Sequence, residues 1–187
     1  MGYLPRGQGL TSSITLALLL VNSAVFVVTL VGGVRVLLVL AQTGDLFFGG
    51  YYWQPVTAMF VHFDLLHILF NMFALVYFGT VVEGSYSRNQ FLAVYFGAGL
   101  VGNLASLFLI PLNAPTGGAS GAIFGLIGAY VAMERKGPGL LVAVLYAALI
   151  FIDSAGPGVN VFAHLFGAIT GFGLGAIFAA GSHGSEG

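Results

Sequence analysis

Apolar runs separated by short polar or glycine-rich breaks dominate this chain, and they set its first reading. At about 20 residues per membrane crossing, six such runs are long enough to be read as spans. The first covers about 11–31, and Gly32-Gly33 is expected to end it. The second starts at Asp64, whose side chain suits a helix N-cap, and runs to about 82. The remaining four fall at about 90–110, 119–134, 140–152 and 159–180. Gly137-Pro138-Gly139 turns the chain between the fourth and fifth, and the Gly/Ser-rich tail 181–187 reads as disordered. Thr11 to Val31 is long enough to span, and no A-x-A site follows it, so it reads as a retained helix and not a cleaved signal.

One connection breaks the pattern. Residues 34–63 include LFFGGYYWQPVTAMFVHF, dense in aromatics but interrupted by Gly49-Gly50 and Pro55. Such a segment is too broken to span, and Trp, Tyr and Phe favour the lipid–water boundary. A long interfacial first loop is therefore expected, either as an aromatic belt or as a partly embedded element that shapes a site.

Composition fixes the solvent. Of the 187 residues, 58% are hydrophobic and 6% charged, whereas water-soluble domains carry about 25% charge. A polar surface cannot be assembled from this chain, so the expected class is an all-α membrane protein in one polytopic domain. Scattered basic residues and a net charge of -1 argue against nucleic acid. Cysteine is absent, which excludes disulfides and Cys-ligated metal. With the N-terminus inside, Arg6, Arg88, Arg135 and Lys136 lie on the inner side and Arg35 on the outer. Both termini are then expected to be cytoplasmic.

Against this apolar background, four polar residues in the expected spans carry weight: His67 and Asn71 in the second, Ser120 in the fourth, His164 in the sixth. Singly, each has a bland role. A membrane serine usually bonds its own helix carbonyl, and a His or Asn ties helices together. However, even-numbered spans all start from the same face, and all four residues lie near those starts. They share one depth, the outer layer in this orientation. His67 and Asn71 are also four apart, hence on one helix face. Gly121 and Gly125 on one span, and Gly167, Gly171 and Gly175 on another, form small-residue stripes that permit close backbone approach. Packing through these stripes would bring Ser120 toward His164. The fourth span is also short, about 24 Å against a hydrocarbon core of about 30 Å. PLNAPTGG before it is expected to dip into the membrane and deliver Ser120.

A serine hydroxyl needs a base, and His is the usual one near neutral pH. Asn71, His67 and the Ser120 backbone N–H could supply oxyanion donors. No acidic residue shares the depth of His164, so a Ser–His dyad is expected and not a triad. A metal site from His62, His67 and His164 lacks an H-E-x-x-H pattern, and no cofactor or metal is expected.

These residues resemble the rhomboid intramembrane serine proteases. GASG at Gly118–Gly121 resembles the family's G-x-S-G motif, and AHLFGAITGFGLG from Ala163 its sixth helix. HFDLLHILFN from His62 to Asn71 resembles its second helix, YYWQPVTAMFVH its first loop and VVEGSYSRNQF a turn. The resemblance covers about residues 50–175 in order. It implies a six-helix rhomboid-like bundle with Ser120 as nucleophile, His164 as base, and Asn71 and His67 at the oxyanion. It also implies single-span membrane protein substrates that arrive laterally between spans two and five. Two positions depart from the pattern. Gln54 follows Trp53 where many members have Arg, and Phe124 stands where many have Tyr stacked on the histidine. The expected location is a bacterial plasma membrane, with the active site opening outward. A catalytically inactive relative that binds transmembrane helices and a small transporter are the competing readings. The first would need Ser120 or His164 missing, and the second is disfavoured by the absence of a matching repeat.

Overall fold

The computed structural model describes residues 14–133, 138–153 and 160–183. Arg6, Glu134, Arg135, Lys136, Gly137 and Glu186, on which part of the sequence reading rests, lie outside the described residues. Among the described residues the structure is all-helical, with one isolated β-bridge between Gln42 and Thr116. In chain order the helices are α1 (Ile14–Leu40), α2 (Gly44–Phe48) and α3 (Gln54–Thr57), the last running into a tight turn over Ala58–Phe60. Next come α4 (Leu65–Ser85), wider-wound over Leu75–Gly79, and α5 (Arg88–Ser106). The last three are α6 (Ser120–Met133), α7 (Pro138–Asp153) and α8 (Val161–His183). By length and composition, α1, α4 and α8 are long and apolar enough to cross a membrane, and α6 is a shorter apolar helix.

Several boundaries differ from the sequence expectation: α5 ends at Ser106 and not near 110, and Pro138 and Gly139, expected to turn the chain, open α7. Gly33 takes φ 66° and ψ −165°, a conformation that costs a residue with a Cβ. One residue absorbs the break, and the apolar stretch after it resumes helix to Leu40. The first connection therefore starts at Ala41, and α2 and α3 give it helical order. Helix α8 likewise continues through His183, so residues 181–183 of the expected disordered tail are helical.

The first connection is tied to α1 by a simple rule. The last carbonyls of a helix have no partner within it. Gln54 Nε2 donates to the Leu38 carbonyl (3.0 Å), Trp53 Nε1 to Val39 (3.0 Å) and Thr57 Oγ1 to Leu40 (2.7 Å). Gln54, fully buried, also accepts from the Thr43 N–H at 3.1 Å. The Gln54 departure thus has a local function: a neutral amide serves both as C-cap donor and loop acceptor. Asn103 Nδ2 on α5 reaches the Pro55 carbonyl at 2.8 Å and fixes the same connection from the other side. At the opposite end of α1, the Glu83 carboxylate accepts from the Ile14 N–H, from the Thr15 N–H (2.9 Å) and from Thr15 Oγ1 (2.6 Å). A carboxylate there satisfies orphan N–H groups and suits the positive end of the helix dipole.

Helix α6 forms the centre. Almost every one of its side chains is buried, and it packs most extensively against α8, then α5. The glycines explain how. A Cβ at Gly167 would overlap the Gly121 carbonyl, and one at Gly171 the Gly125 carbonyl. A Cβ at Gly128 would strike the Ala168 carbonyl. In lipid no hydrophobic drive favours helix association, so close van der Waals contact of this kind supplies it.

Candidate active site

Ser120 opens α6, and the approach to it is pinned. Thr116 and Gln42 exchange two backbone hydrogen bonds of 2.8 Å, and the Gly118 N–H donates to the Ala58 carbonyl at 2.9 Å. Gly118 then turns with φ +136°. A Cβ at this position would lie 2.9 Å from His67 Nε2 and 3.3 Å from Ser120 Oγ. Glycine is required twice here, for the backbone angle and for space. The same distances place His67 Nε2 and Ser120 Oγ around one point.

His164 comes to that point from α8. Its Nε2 lies 2.7 Å from Ser120 Oγ, and both side chains are buried. The Phe124 ring, one turn into α6, stacks on the His164 imidazole with centroids 4.6 Å apart and planes 14° apart. A phenyl ring therefore supplies the stacking surface without a hydroxyl. The glycine contacts between α6 and α8 set the separation across which this pair meets.

His67 and Asn71 sit on α4, whose start Asp64 caps: its Oδ1 accepts the His67 N–H at 2.8 Å. The His67 ring is stacked parallel to Phe63 (6.2 Å, 7°) and meets the His62 ring edge-on (5.0 Å, 66°). Asn71 is buried, and its Nδ2 donates to the His67 carbonyl at 2.8 Å. One of its two amide hydrogens is thus used within α4, while Oδ1 is buried without a partner. The structure brings Ser120, His164, His67, Gly118 and Phe124 together. Asn71 lies one turn further along the His67 face, engaged with its own helix.

Of two further residues around this cluster, the sequence reading weighed His62 only as a metal ligand and missed Asn160. His62 is buried with Nδ1 3.3 Å from the Phe60 carbonyl. Burial and the neighbouring His67 push its pKa down from the usual value to about 3, so it is neutral. Asn160 precedes α8 and accepts the Ala163 N–H on Oδ1 at 3.1 Å. An Asn directly before an apolar run is an N-cap signal that could have been read. Among the described residues no group of three His, Cys, Asp or Glu is arranged to hold a metal ion.

Chemically, the cluster is a hydroxyl bonded to an imidazole, with a second imidazole beside it and a helix N-terminus at the hydroxyl. The first N–H groups of α6 have no acceptor within the helix and remain available to negative charge. The family model for the rhomboid domain matches residues 49–181, the stretch that contains His67, Asn71, Ser120 and His164. The chain belongs to the rhomboid family. Among curated rhomboid relatives, YdcA of Bacillus subtilis is 34% identical over 66% of this chain and 65% of its own length. Rhomboid protease GluP of the same organism is 40% identical over 51% of the chain but 19% of GluP. Rhomboid-like protease 2 of Toxoplasma gondii is 28% identical over 83% of the chain and 62% of that protein. The chain thus spans less than two thirds of the length of these relatives. Rhomboid membership and three helices long and apolar enough to span identify an integral membrane protein, and the relatives' names identify proteolysis as an activity of the family.

Proposed function

We propose that this rhomboid is an intramembrane serine endopeptidase that uses a Ser120–His164 dyad. The observation that carries the reading is the 2.7 Å contact between Ser120 Oγ and His164 Nε2 at the head of a buried apolar helix. With α4, α5, α7 and α8, this helix and α1 would form a six-span bundle. Helix α6 has 14 residues, about 21 Å of rise against a hydrocarbon core of about 30 Å. Its start would lie within the membrane.

In the first half-reaction Ser120 Oγ attacks a peptide carbonyl carbon of the substrate while its proton passes to His164 Nε2. For Nε2 to accept, the proton of the neutral ring resides on Nδ1. The carbonyl oxygen becomes an oxyanion, received by the Ser120 backbone N–H, by His67 and by the second amide hydrogen of Asn71. Collapse breaks the C–N bond, and His164 returns its proton to the departing amine. Water then attacks the acyl-serine while His164 takes its proton, and as the ester C–O bond breaks His164 returns that proton to Ser120 Oγ, releasing the carboxylic acid. Phe124 holds the plane of the base throughout. The reading carries with it single-span membrane protein substrates, lateral access between the second and fifth spans, and a bacterial plasma membrane. The termini would be cytoplasmic and the site open outward.

The test uses purified protein in detergent, a fluorophosphonate probe and a model transmembrane substrate. Labelling and cleavage are expected of the unaltered protein and lost in Ser120→Ala and His164→Ala. A Ser120→Ala protein that still cleaves would overturn the dyad.

A further inference from the structure

Helix α8 carries His164 at its fourth position, inside the first turn, where helices fray unless they are capped. The residue before that turn, Asn160, is buried. It makes two bonds into the turn: Oδ1 accepts the Ala163 N–H at 3.1 Å, and its backbone carbonyl accepts the His164 N–H at 3.2 Å. The second bond ends on the backbone of the residue whose ring meets Ser120.

The same turn is fixed from outside. A Cβ at Gly102 on α5 would lie 2.5 Å from the Ala163 carbonyl oxygen, and one at Gly121, next to Ser120, 3.4 Å from it. Ala163 is therefore held at its N–H by Asn160 and at its carbonyl against two glycine surfaces. Its neighbour along the chain is His164. Rotation of this turn by a few tenths of an ångström would move the imidazole directly along or across the 2.7 Å contact.

We propose that Asn160 is a positioning residue for the reaction: its cap sets the first turn of α8 so that His164 Nε2 meets Ser120 Oγ. It touches neither the substrate nor the reacting atoms and acts through His164. This inference rests on the Ser120–His164 reading above, and it assigns the cap an effect on turnover beyond holding the helix together. Not every side chain can supply it. Asp, Ser and Thr can place an oxygen at the Ala163 N–H; Ala cannot, and Gln carries its amide one methylene too far.

The experiment compares the unaltered protein with Asn160→Ala, Asn160→Gln, Asn160→Ser and Asn160→Thr. For each, active sites are titrated with a fluorophosphonate, kcat and KM are measured on a transmembrane substrate, and the melting temperature is recorded. Per titrated site, Asn160→Ala and Asn160→Gln are expected to lower kcat about fivefold to tenfold, the rate equivalent of one lost cap. KM should stay within about twofold, because no substrate contact is removed. Asn160→Ser and Asn160→Thr should recover kcat to within about threefold of the unaltered protein. A purely structural cap gives a different pattern: fewer titrated sites and a lower melting temperature, with kcat per site unchanged in Asn160→Ala and Asn160→Gln. That result overturns the proposal, as does a kcat that Ser and Thr fail to recover. Absence of labelling and turnover in the unaltered protein would instead refute the protease reading itself, so the two failures are separable.

Discussion

Gly167 offers the sharpest test of how the helix interface governs the site. Substitution by Ala adds one methyl group that must overlap the Gly121 carbonyl oxygen, with the Gly121 carbonyl carbon at 3.0 Å and its Cα at 3.4 Å. These are backbone atoms of α6, so no side chain can swing aside. Relief requires α8 to retreat from α6 by roughly 1 Å, since non-bonded carbon atoms pack at about 3.5–4.0 Å. Gly121 adjoins Ser120, and Gly167 follows His164 by less than one turn. The retreat therefore opens the 2.7 Å Ser120–His164 contact to about 3.7 Å, beyond hydrogen-bonding distance. A misplacement of about 1 Å at reacting groups costs on the order of 10²-fold in rate. Overpacking adds about 1–3 kcal/mol of destabilisation. Gly173, on the same helix, is the control: a Cβ there has nothing within 4 Å. Gly173→Ala should be neutral or gain up to about 1 kcal/mol from helix propensity. The assay is kcat per fluorophosphonate-titrated site on a transmembrane substrate, with melting temperature alongside. If Gly167→Ala retains turnover within threefold of the unaltered protein, or Gly173→Ala loses as much as Gly167→Ala, close packing does not set the dyad.

Three further outcomes follow from single contacts. Since burial holds the pKa of His62 at about 3, below its ordinary 6.5, the unfolded chain takes up a proton that the fold refuses. Stability is then full above pH 6.5 and falls as pH drops toward 3, by about 2 kcal/mol at pH 5. His62→Gln should flatten acid denaturation between pH 7 and 5, and identical melting profiles for the two proteins would exclude this account. Glu83→Gln removes the charge at the N-terminus of α1 and should cost about 1–3 kcal/mol without altering kcat per titrated site; an unchanged melting temperature would count against the cap. Phe124→Tyr should preserve turnover, whereas Phe124→Leu, which loses the ring stacked on His164, should lower kcat by up to about tenfold. Equal rates for the two variants would show that stacking has no part in placing the base.

Sequence made some of this legible because lipid removes ambiguity. In a chain with so few polar spanning residues, His67, Asn71, Ser120 and His164 could be singled out without a fold. The glycine stripes said which helices could approach closely, and the Gly167 and Gly171 contacts with α6 lie along them. The Asp64 cap was readable from residue type and position. Other features depend on groups far apart in the chain. The Leu38, Val39 and Leu40 carbonyls are bonded by residues 14 to 17 positions later, and no local periodicity announces such pairing. Gln54 consequently looked like a departure from a pattern, although it is a satisfied cap. The helical extension of α1 past Gly33 was hidden because one glycine can either end a helix or bend it. Only packing after the bend decides between these. His62 sat beside His67 in the motif, yet its neutral state comes from three-dimensional burial.

The arrangement also explains why two glycine systems are needed for one serine. Gly118 acts before the helix: its φ of +136° and missing Cβ admit His67 Nε2 beside Ser120 Oγ. Gly121, Gly125, Gly167 and Gly171 act along the helix, where bare backbones meet and carry α8 close enough for His164 to reach the same oxygen. A Cβ at Gly118 would fill the space between His67 and Ser120, where the proposed oxyanion would sit, while leaving the α6–α8 contact intact. One at Gly167 or Gly171 would separate the base while leaving His67 in place. The two classes of variant should therefore differ in character. A Gly118→Ala protein that folds should retain the Ser120–His164 hydrogen bond, and with it a reactive serine toward small phosphonates, while losing peptide turnover. The Gly167→Ala protein should lose both together. Equal loss of labelling and turnover in Gly118→Ala, measured on folded protein, would mean that the two glycine systems serve one undivided function.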